Sequence, residues 1–283
     1  MERLKVLITV KTLPIPSAKY DELVCTAGVT ETGDFLRLYP VNFRDLPYSK
    51  QYKKYQWIEV GARRHTGRDS RKESYRPDCD TLKILGEPIP TKNGDWSERA
   101  KYVLSKSAVS MEELYDRQAD DRTSLGIFRP KRVLDLVITK VDPSWKPGFL
   151  AALKQARIWE DRKVTKEPPR KLPFKFSYRF ECDDSRCKKN HCMMIEDWEV
   201  GALFWKLVDG GASREEAAAK VRNKFLGDLC GPNKDTHFYV GTILEHPKSW
   251  VIIGVFYPKK TLQSRKLSRS PSPKDSNRRL FDE

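Results

Sequence analysis

Three sets of residues have the types and spacing that chemistry requires. The first lies in residues 182–192, which read Cys-Asp-Asp-Ser-Arg-Cys-Lys-Lys-Asn-His-Cys and put four soft or borderline metal ligands within eleven positions. Cys182, Cys187, His191 and Cys192 form a C-x4-C-x3-H run followed at once by a third thiol. Zinc accepts thiolates and imidazoles in a tetrahedral shell. Zinc knuckles normally present two separated ligand pairs, so a polar hairpin tip with reduced thiols is the ordinary account and structural zinc the alternative. No other cofactor is expected.

The second set is Glu196-Asp197-Trp198-Glu199. Three carboxylates close in sequence can hold Mg2+ through one or two carboxylates and several waters, which makes Glu196, Asp197 and Glu199 the candidates of a nuclease reading. A helix start also favours acids: Asp197 as N-cap and Glu199 in the first turn satisfy orphan amides and the helix dipole without any metal. Capping is therefore the simpler account.

The third set is basic and aromatic. Arg37, Tyr39, Arg44, Lys53, Lys54, Tyr55, Arg63, Arg64, Lys72 and Arg76 are interleaved in the N-terminal part, and Lys175 and Arg179 share one face of a later strand. Single-stranded nucleic acid is held by cations that track phosphates and by flat side chains on which bases stack. The competing account has the tyrosines finish a core while the cations face water. Arg37 and Tyr39 share a strand face with Phe35, which fits partial burial.

Composition sharpens the choice. The chain has 283 residues, 39% hydrophobic, 33% charged, with a net charge of +15, so it can bury a core and calls for an acidic partner. Residues 44–76 hold ten basic side chains against four acidic, residues 154–179 nine against three, and residues 259–279 eight against one. The positive charge therefore belongs to particular surfaces and to the tail. The apolar stretches 6–10 and 251–256 fall far short of the ~20 residues of a membrane span, and six scattered cysteines do not make a disulfide framework. A cytoplasmic protein without membrane association is expected. Gly-rich phosphate loops, dinucleotide fingerprints and nucleophile elbows are absent, and His65, His191, His237 and His246 are scattered.

The elements that must position these residues follow from periodicity. Strands are expected over 4–11, 22–30 and 35–40, a short helix or turn over 43–55, and strands over 57–60 and 81–88. Helices follow over 95–106 and from Ser110, where Glu113 completes a capping-box pattern. A strand over 133–138 precedes 174–180, whose strict alternation puts Phe174, Phe176, Tyr178 and Phe180 on one face, and 193–195 supplies its partner. Helices then start at Asp197 and at Ser213, before strands 238–244 and 250–256. On the first of these helices Trp198, Ala202 and Trp205 recur at helical spacing and are expected to pack against the second barrel rather than to cage a base or ligand. Three strands, a helix and two strands thus occur twice, the order of an OB-fold.

Several stretches, among them Phe35-Leu-Arg-Leu-Tyr-Pro-Val41, Tyr52-Lys-Lys-Tyr-Gln-Trp-Ile-Glu59, Ser124-Leu-Gly-Ile-Phe-Arg-Pro130, Ile195-Glu-Asp-Trp-Glu-Val-Gly201 and Ile252-Ile-Gly-Val-Phe-Tyr-Pro258, together resemble a prokaryotic family described as the dual OB-containing domain. The resemblance runs over about residues 3–258. It implies two OB barrels in one unit and a nucleic-acid role in a mobile-element or defence setting, and it implies no catalytic residues.

The expected fold is mainly β with helical insertions (α+β): an OB-like barrel over 1–92, a helical connector over 93–130, a second OB-like barrel with two helices over 131–260, and a disordered basic tail over 261–283. The expected function is non-catalytic binding of single-stranded or structured RNA or DNA through phosphate and stacking contacts. A metal-dependent nuclease and a protein-interaction or nucleotide-sensing module are the alternatives.

Overall fold

The computed structural model describes residues 1–17, 19–65, 69, 71–159, 167–187 and 190–260, and the expected tail over 261–283 lies outside them. Within the described residues the N-terminal strands are β1 (Glu2–Lys11), β2 (Ile15–Ser17), β3 (Asp21–Val29), β4 (Phe35–Val41), β5 (Trp57–Arg64) and β6 (Ser74–Ile84). They form one sheet in the order β1-β5-β6-β4-β3-β2, and an added β1–β3 pairing closes five of them into a barrel. The β4–β6 pairing is parallel, Arg37 opposite Ser74, and the other pairings are antiparallel.

Two short 3-10 turns, Phe43–Asp45 and Tyr48–Lys50, take the place of the helix expected between the third and fourth barrel strands. Pro47 between them removes the amide a longer helix would need. Strand β6 starts at Ser74 rather than near residue 81. Arg76, Pro77, Asp78 and Asp80 hide it in the sequence, because polar residues and a proline fill a stretch of strand that is exposed or half-buried.

The helices are α1 (Ser97–Val103), α2 (Met111–Asp121), α3 (Pro147–Trp159), α4 (Trp198–Asp209) and α5 (Arg214–Arg222). The side chain of Ser110 caps α2 by accepting from the Glu113 amide, but Glu113 reaches the Val109 amide at 2.6 Å instead of closing the expected box. Ser213 and Glu216 do close a full capping box on α5, and Asp197 caps α4 by accepting from the Glu199 amide at 2.9 Å. Helix α3, which the Pro-interrupted sequence did not suggest, begins on Pro147, where a missing amide costs nothing.

The remaining strands are β7 (Leu125–Phe128), β8 (Arg132–Lys140), β9 (Phe174–Glu181), β10 (His191–Met194), β11 (His237–Thr242) and β12 (Trp250–Phe256). They pair as two three-stranded sheets, β10-β9-β8 and β12-β11-β7, in place of one ladder-closed barrel. A single parallel bridge, Ile195 with Ile252, joins them. Strand β7, inside the stretch expected to be a helical connector, pairs with β11 from the far end of the chain. The alternation expected for β9 is present: its four aromatics are buried while Lys175 and Arg179 are exposed. No helix among the described residues is long and apolar enough to cross a membrane.

One core fills the barrel, with Val6, Ile8, Leu38, Ile58 and Val60, and a larger one lies among the C-terminal sheets and helices. A third belongs to neither side alone. It combines Val10, Ala27, Tyr55 and Val103 with Leu125, Ile127, Tyr239, Val251, Ile253 and Phe256. Strands β1 and β12 are therefore buried on both faces, which is why their sequences run continuously apolar instead of alternating.

Beside this apolar seam lies a polar lock. Arg37 of β4 is only 2% exposed, and its guanidinium donates to Ser74 Oγ (3.2 Å), Ser124 Oγ (2.7 Å) and Ser124 O (3.0 Å). Glu73 accepts from the amide (2.9 Å) and hydroxyl (2.7 Å) of the same Ser124, and Arg71, paired with Asp69, donates to Thr242 O at 3.0 Å. Removing one member of a buried, charge-compensated set costs about 3–5 kcal/mol. Arg37→Ala is therefore expected to lower stability by that order in urea unfolding followed by tryptophan fluorescence, with wild type losing both halves in one transition; a loss under about 1 kcal/mol would show that the lock does not hold the seam.

Candidate nucleic-acid interface

Where the barrel meets the C-terminal half, the surface opens into a pocket of about 760 Å3. The barrel contributes Leu13, Pro14 and Ile15, from the connection after β1, together with Arg44. Helix α4 contributes Trp198, Gly201, Ala202 and Trp205. Trp198 and Trp205 are seven residues apart, two helical turns, so both indoles share the face on which Gly201 and Ala202 leave room between them. Gly201 lets Leu13 approach the helix, since a Cβ there would meet Leu13 Cδ2 at 2.5 Å and push it aside. Of this stripe Trp205 packs against the core of the C-terminal half, whereas Trp198 meets Phe43 of the N-terminal barrel edge-on at 5.5 Å, and the same helix face lines the pocket.

The opposite wall comes from Val141, Trp145 and residues between 167 and 176. Trp145 is fixed by donating its indole N–H to Pro169 O at 2.7 Å. Arg170 lies 4.2 Å over the Trp205 ring and pairs with both carboxylate oxygens of Asp209 at 2.7 and 2.8 Å. Lys171 donates to Ser144 O at 3.0 Å, and Lys175 projects from β9 into solvent. Arg44 pairs with the buried carboxylate of Glu22 and donates to Glu167 O at 3.0 Å. Four cations thus rim a floor of indoles and aliphatic side chains, against the two carboxylates of Glu167 and Glu196.

The expected cations divide into several groups. Arg44 and Lys175 line the pocket. Arg63, Arg64 and Arg76 are exposed at the end of the β5–β6 pair, with Arg63 directly opposite Arg76. Lys53 is exposed, Lys72 pairs with Asp121, and Arg179 lies 3.8 Å from Asp135. Lys54 is tied to Glu199 at 2.9 Å. Two expected contacts are interior instead: Arg37 spends its donors in the seam, and Tyr55, 4% exposed, packs on Trp96 and Phe256. Tyr39 is half-buried. The sequence argument missed Trp145, Arg170 and Lys171, whose signal was an aromatic and basic loop punctuated by Pro143, Pro147, Pro168 and Pro169.

The three carboxylates of the nuclease alternative take separate positions. Asp197 is buried as the α4 cap, Glu199 faces Lys54, and Glu196 lines the pocket. Burial pushes the carboxyls of Glu196 and Asp197 up to about 7 each; at Asp197 the nearby Lys54 opposes this shift. Of the expected metal ligands, Cys182, Cys187 and His191 come together, joined by Glu112 of α2. Cys192 follows His191 along β10, points to the other side of the strand and is exposed.

The fold and the pocket define a closed β-barrel joined to a second α/β half across an aromatic, basic seam. The chain belongs to the family described as Domain of unknown function (DUF8757), whose model matches residues 106–283. Residues 2–105 match the model described as Domain of unknown function (DUF8758), so the two models meet between α1 and α2. No curated protein matches the chain. Among solved structures, one titled "Structure of murine DNA binding protein bound with ds DNA" aligns over 92% of this chain and 97% of its own, at 9% identity and a TM-score of 0.31.

The raised Glu196 carboxyl makes a pH prediction. The native state holds a proton that the unfolded chain releases above about pH 4.5, so this group's stabilisation is full below that pH and is lost as pH rises through about 7. Glu196→Gln removes this dependence. Urea unfolding at pH 5 and pH 8 is expected to show the variant gaining on wild type at the higher pH, and an equal difference at both would contradict the burial of this carboxyl.

Proposed function

We propose that this protein binds single-stranded nucleic acid in the seam pocket and does so without cleaving it. The observation that carries this reading is the juxtaposition of Trp145, Trp198 and Trp205 with a rim of Arg44, Arg170, Lys171 and Lys175 in one concave site. Indole faces accept any base by stacking, and the cations take the phosphates that follow. Arg170 already pairs with a carboxylate, and such an exposed pair is weak enough for a phosphate to displace or share it, while Arg44 stays anchored to the buried Glu22.

Topology supports the same reading. The barrel order, β1-β3-β4-β6-β5 and back to β1, is that of an OB-fold. In the C-terminal half β8, β9 and β10 pair in sequence, the Ile195–Ile252 bridge leads on to β12, and β11 links β12 to β7. With β7 and β8 taken as one strand bent at residues 129–131, this is the same order, and the half reads as a second, looser OB-like unit. OB-folds meet oligonucleotides on their second and third strands and on the loop between the first and second. The connection between those strands contributes Leu13, Pro14 and Ile15 in the barrel and Val141, Trp145 and residues 167–172 in the other half, so both supply walls of the pocket. The resemblance to the dual OB-containing family agrees with this assignment and with a prokaryotic mobile-element or defence setting.

If three or four phosphates are neutralised, the logarithm of the affinity for single strands falls against the logarithm of salt with a slope of about −2 to −3. Trp205→Ala removes one stacking platform and is expected to cost about 1–3 kcal/mol of binding, with folding unaffected. Fluorescence anisotropy with labelled single-stranded DNA and RNA, across roughly 50–200 mM salt and with Mg2+ present, measures both. Salt-independent binding, or full affinity in Trp205→Ala, would contradict the proposal, as would Mg2+-dependent loss of the strand.

A further inference from the structure

Away from the seam, the fold gathers another set of chemistry-bearing side chains. Glu112 in the first turn of α2, Cys182 just past β9, Cys187 in the hairpin and His191 at the start of β10 bring four potential ligand atoms within 4.8 Å of one another. Cys187 Sγ lies 3.1 Å from His191 Nε2, and the same ring nitrogen lies 3.2 Å from Glu112 Oε1. A single imidazole nitrogen gives or takes one hydrogen bond, yet a sulfur and a carboxylate oxygen both converge on it. The other carboxylate oxygen, Glu112 Oε2, is buried with no hydrogen-bond partner among the described residues. Around an ion with bonds of roughly 2.0–2.3 Å, tetrahedral ligands stand roughly 3.3–3.8 Å apart. The two short separations, 3.1 and 3.2 Å, lie just under that spacing, and no pair exceeds 4.8 Å.

We propose that Glu112, Cys182, Cys187 and His191 bind a zinc ion that clamps α2 to the β9–β10 hairpin. Two thiolates and an imidazole select zinc over the hard cations Mg2+ and Ca2+, and four protein ligands close the shell, so the ion is structural. The surroundings hold the ligands in place. The His191 ring stacks on Phe180, its cross-strand partner, at 5.0 Å and 18°. Ser110, the cap of α2, donates to Asp184 at 2.8 Å, and Arg186 bridges Asp184 (3.0 Å) to Asp116 of α2 (2.6 Å). Helix and hairpin are thus already aligned before the ion joins them. The ligand set departs from the one a reading of residues 182–192 suggests: the acid from a distant helix replaces Cys192, which the strand turns outward.

The test is metal analysis of the purified full chain by plasma mass spectrometry, with Cys187→Ser, Glu112→Gln and Cys192→Ser beside wild type. Wild type and Cys192→Ser are expected to carry one zinc per chain, Cys187→Ser to lose it, and Glu112→Gln to give it up to a chelator that wild type resists. To separate metal loss from misfolding of Cys187→Ser, chelator-stripped wild type is also titrated with Co2+. A thiolate-to-cobalt charge-transfer band with tetrahedral ligand-field bands, and a melting temperature restored by zinc, are the expected results. Folded wild type that takes up neither metal overturns the proposal, and so does zinc lost from Cys192→Ser but held normally by Glu112→Gln.

Discussion

The buried guanidinium of Arg37 is the constraint on which the arrangement of the two halves depends. An arginine does not shed its charge to escape burial, so its surroundings must supply hydrogen-bond acceptors. They come from both halves: Ser74 from β6, and Ser124, itself held by Glu73, from the start of the C-terminal half. Arg71 adds a second tie to Thr242. Separating the halves would strand these groups and would also expose the apolar cluster around Val10, Tyr239 and Phe256. The segments matched by two distinct family models are therefore one folded body.

That body acquires its pocket from the way the seam ends. Along β1 the contact is dry and apolar; past Lys11 the chain leaves the ladder, the Leu13 amide donates to Glu196 O at 2.9 Å, and Leu13 settles against Gly201. Lys11 sits 3.8 Å from the Phe43 ring and 5.1 Å from Trp198, so the floor of the pocket is stiffened by rings and a cation, with Lys54 bound to Glu199 close by. Walls from both halves are thus held at a fixed separation by the same contacts that hold the halves together. A site on such rigid supports needs little reordering when a strand enters.

What could be read in the sequence was what local pattern dictates. The alternation of β9 and the caps at Asp197 and Ser213 depend on neighbours in sequence, and all are present. What escaped depends on the seam. Arg37 and Tyr55 look like surface groups until a second body covers them, and β7 has only Leu125-Gly-Ile-Phe128 to announce a strand that its partner β11 completes. The exchange of Cys192 for Glu112 has a similar origin. Once His191 is placed on a strand, the period of two turns Cys192 away from it, but nothing near residue 182 points to a helix seventy residues earlier.

The central claim, that the seam pocket rather than the exposed arginines at the end of β5 and β6 receives the strand, is tested most directly by photocrosslinking. A single-stranded oligonucleotide carrying photoreactive pyrimidines is bound, irradiated and digested, and the crosslinked peptides are identified by mass spectrometry. The crosslinks are expected on Trp145, Trp198 and Trp205 and on the residues beside them. Crosslinks confined to the strand ends around Arg63, Arg64 and Arg76, with the indoles untouched, would contradict the account.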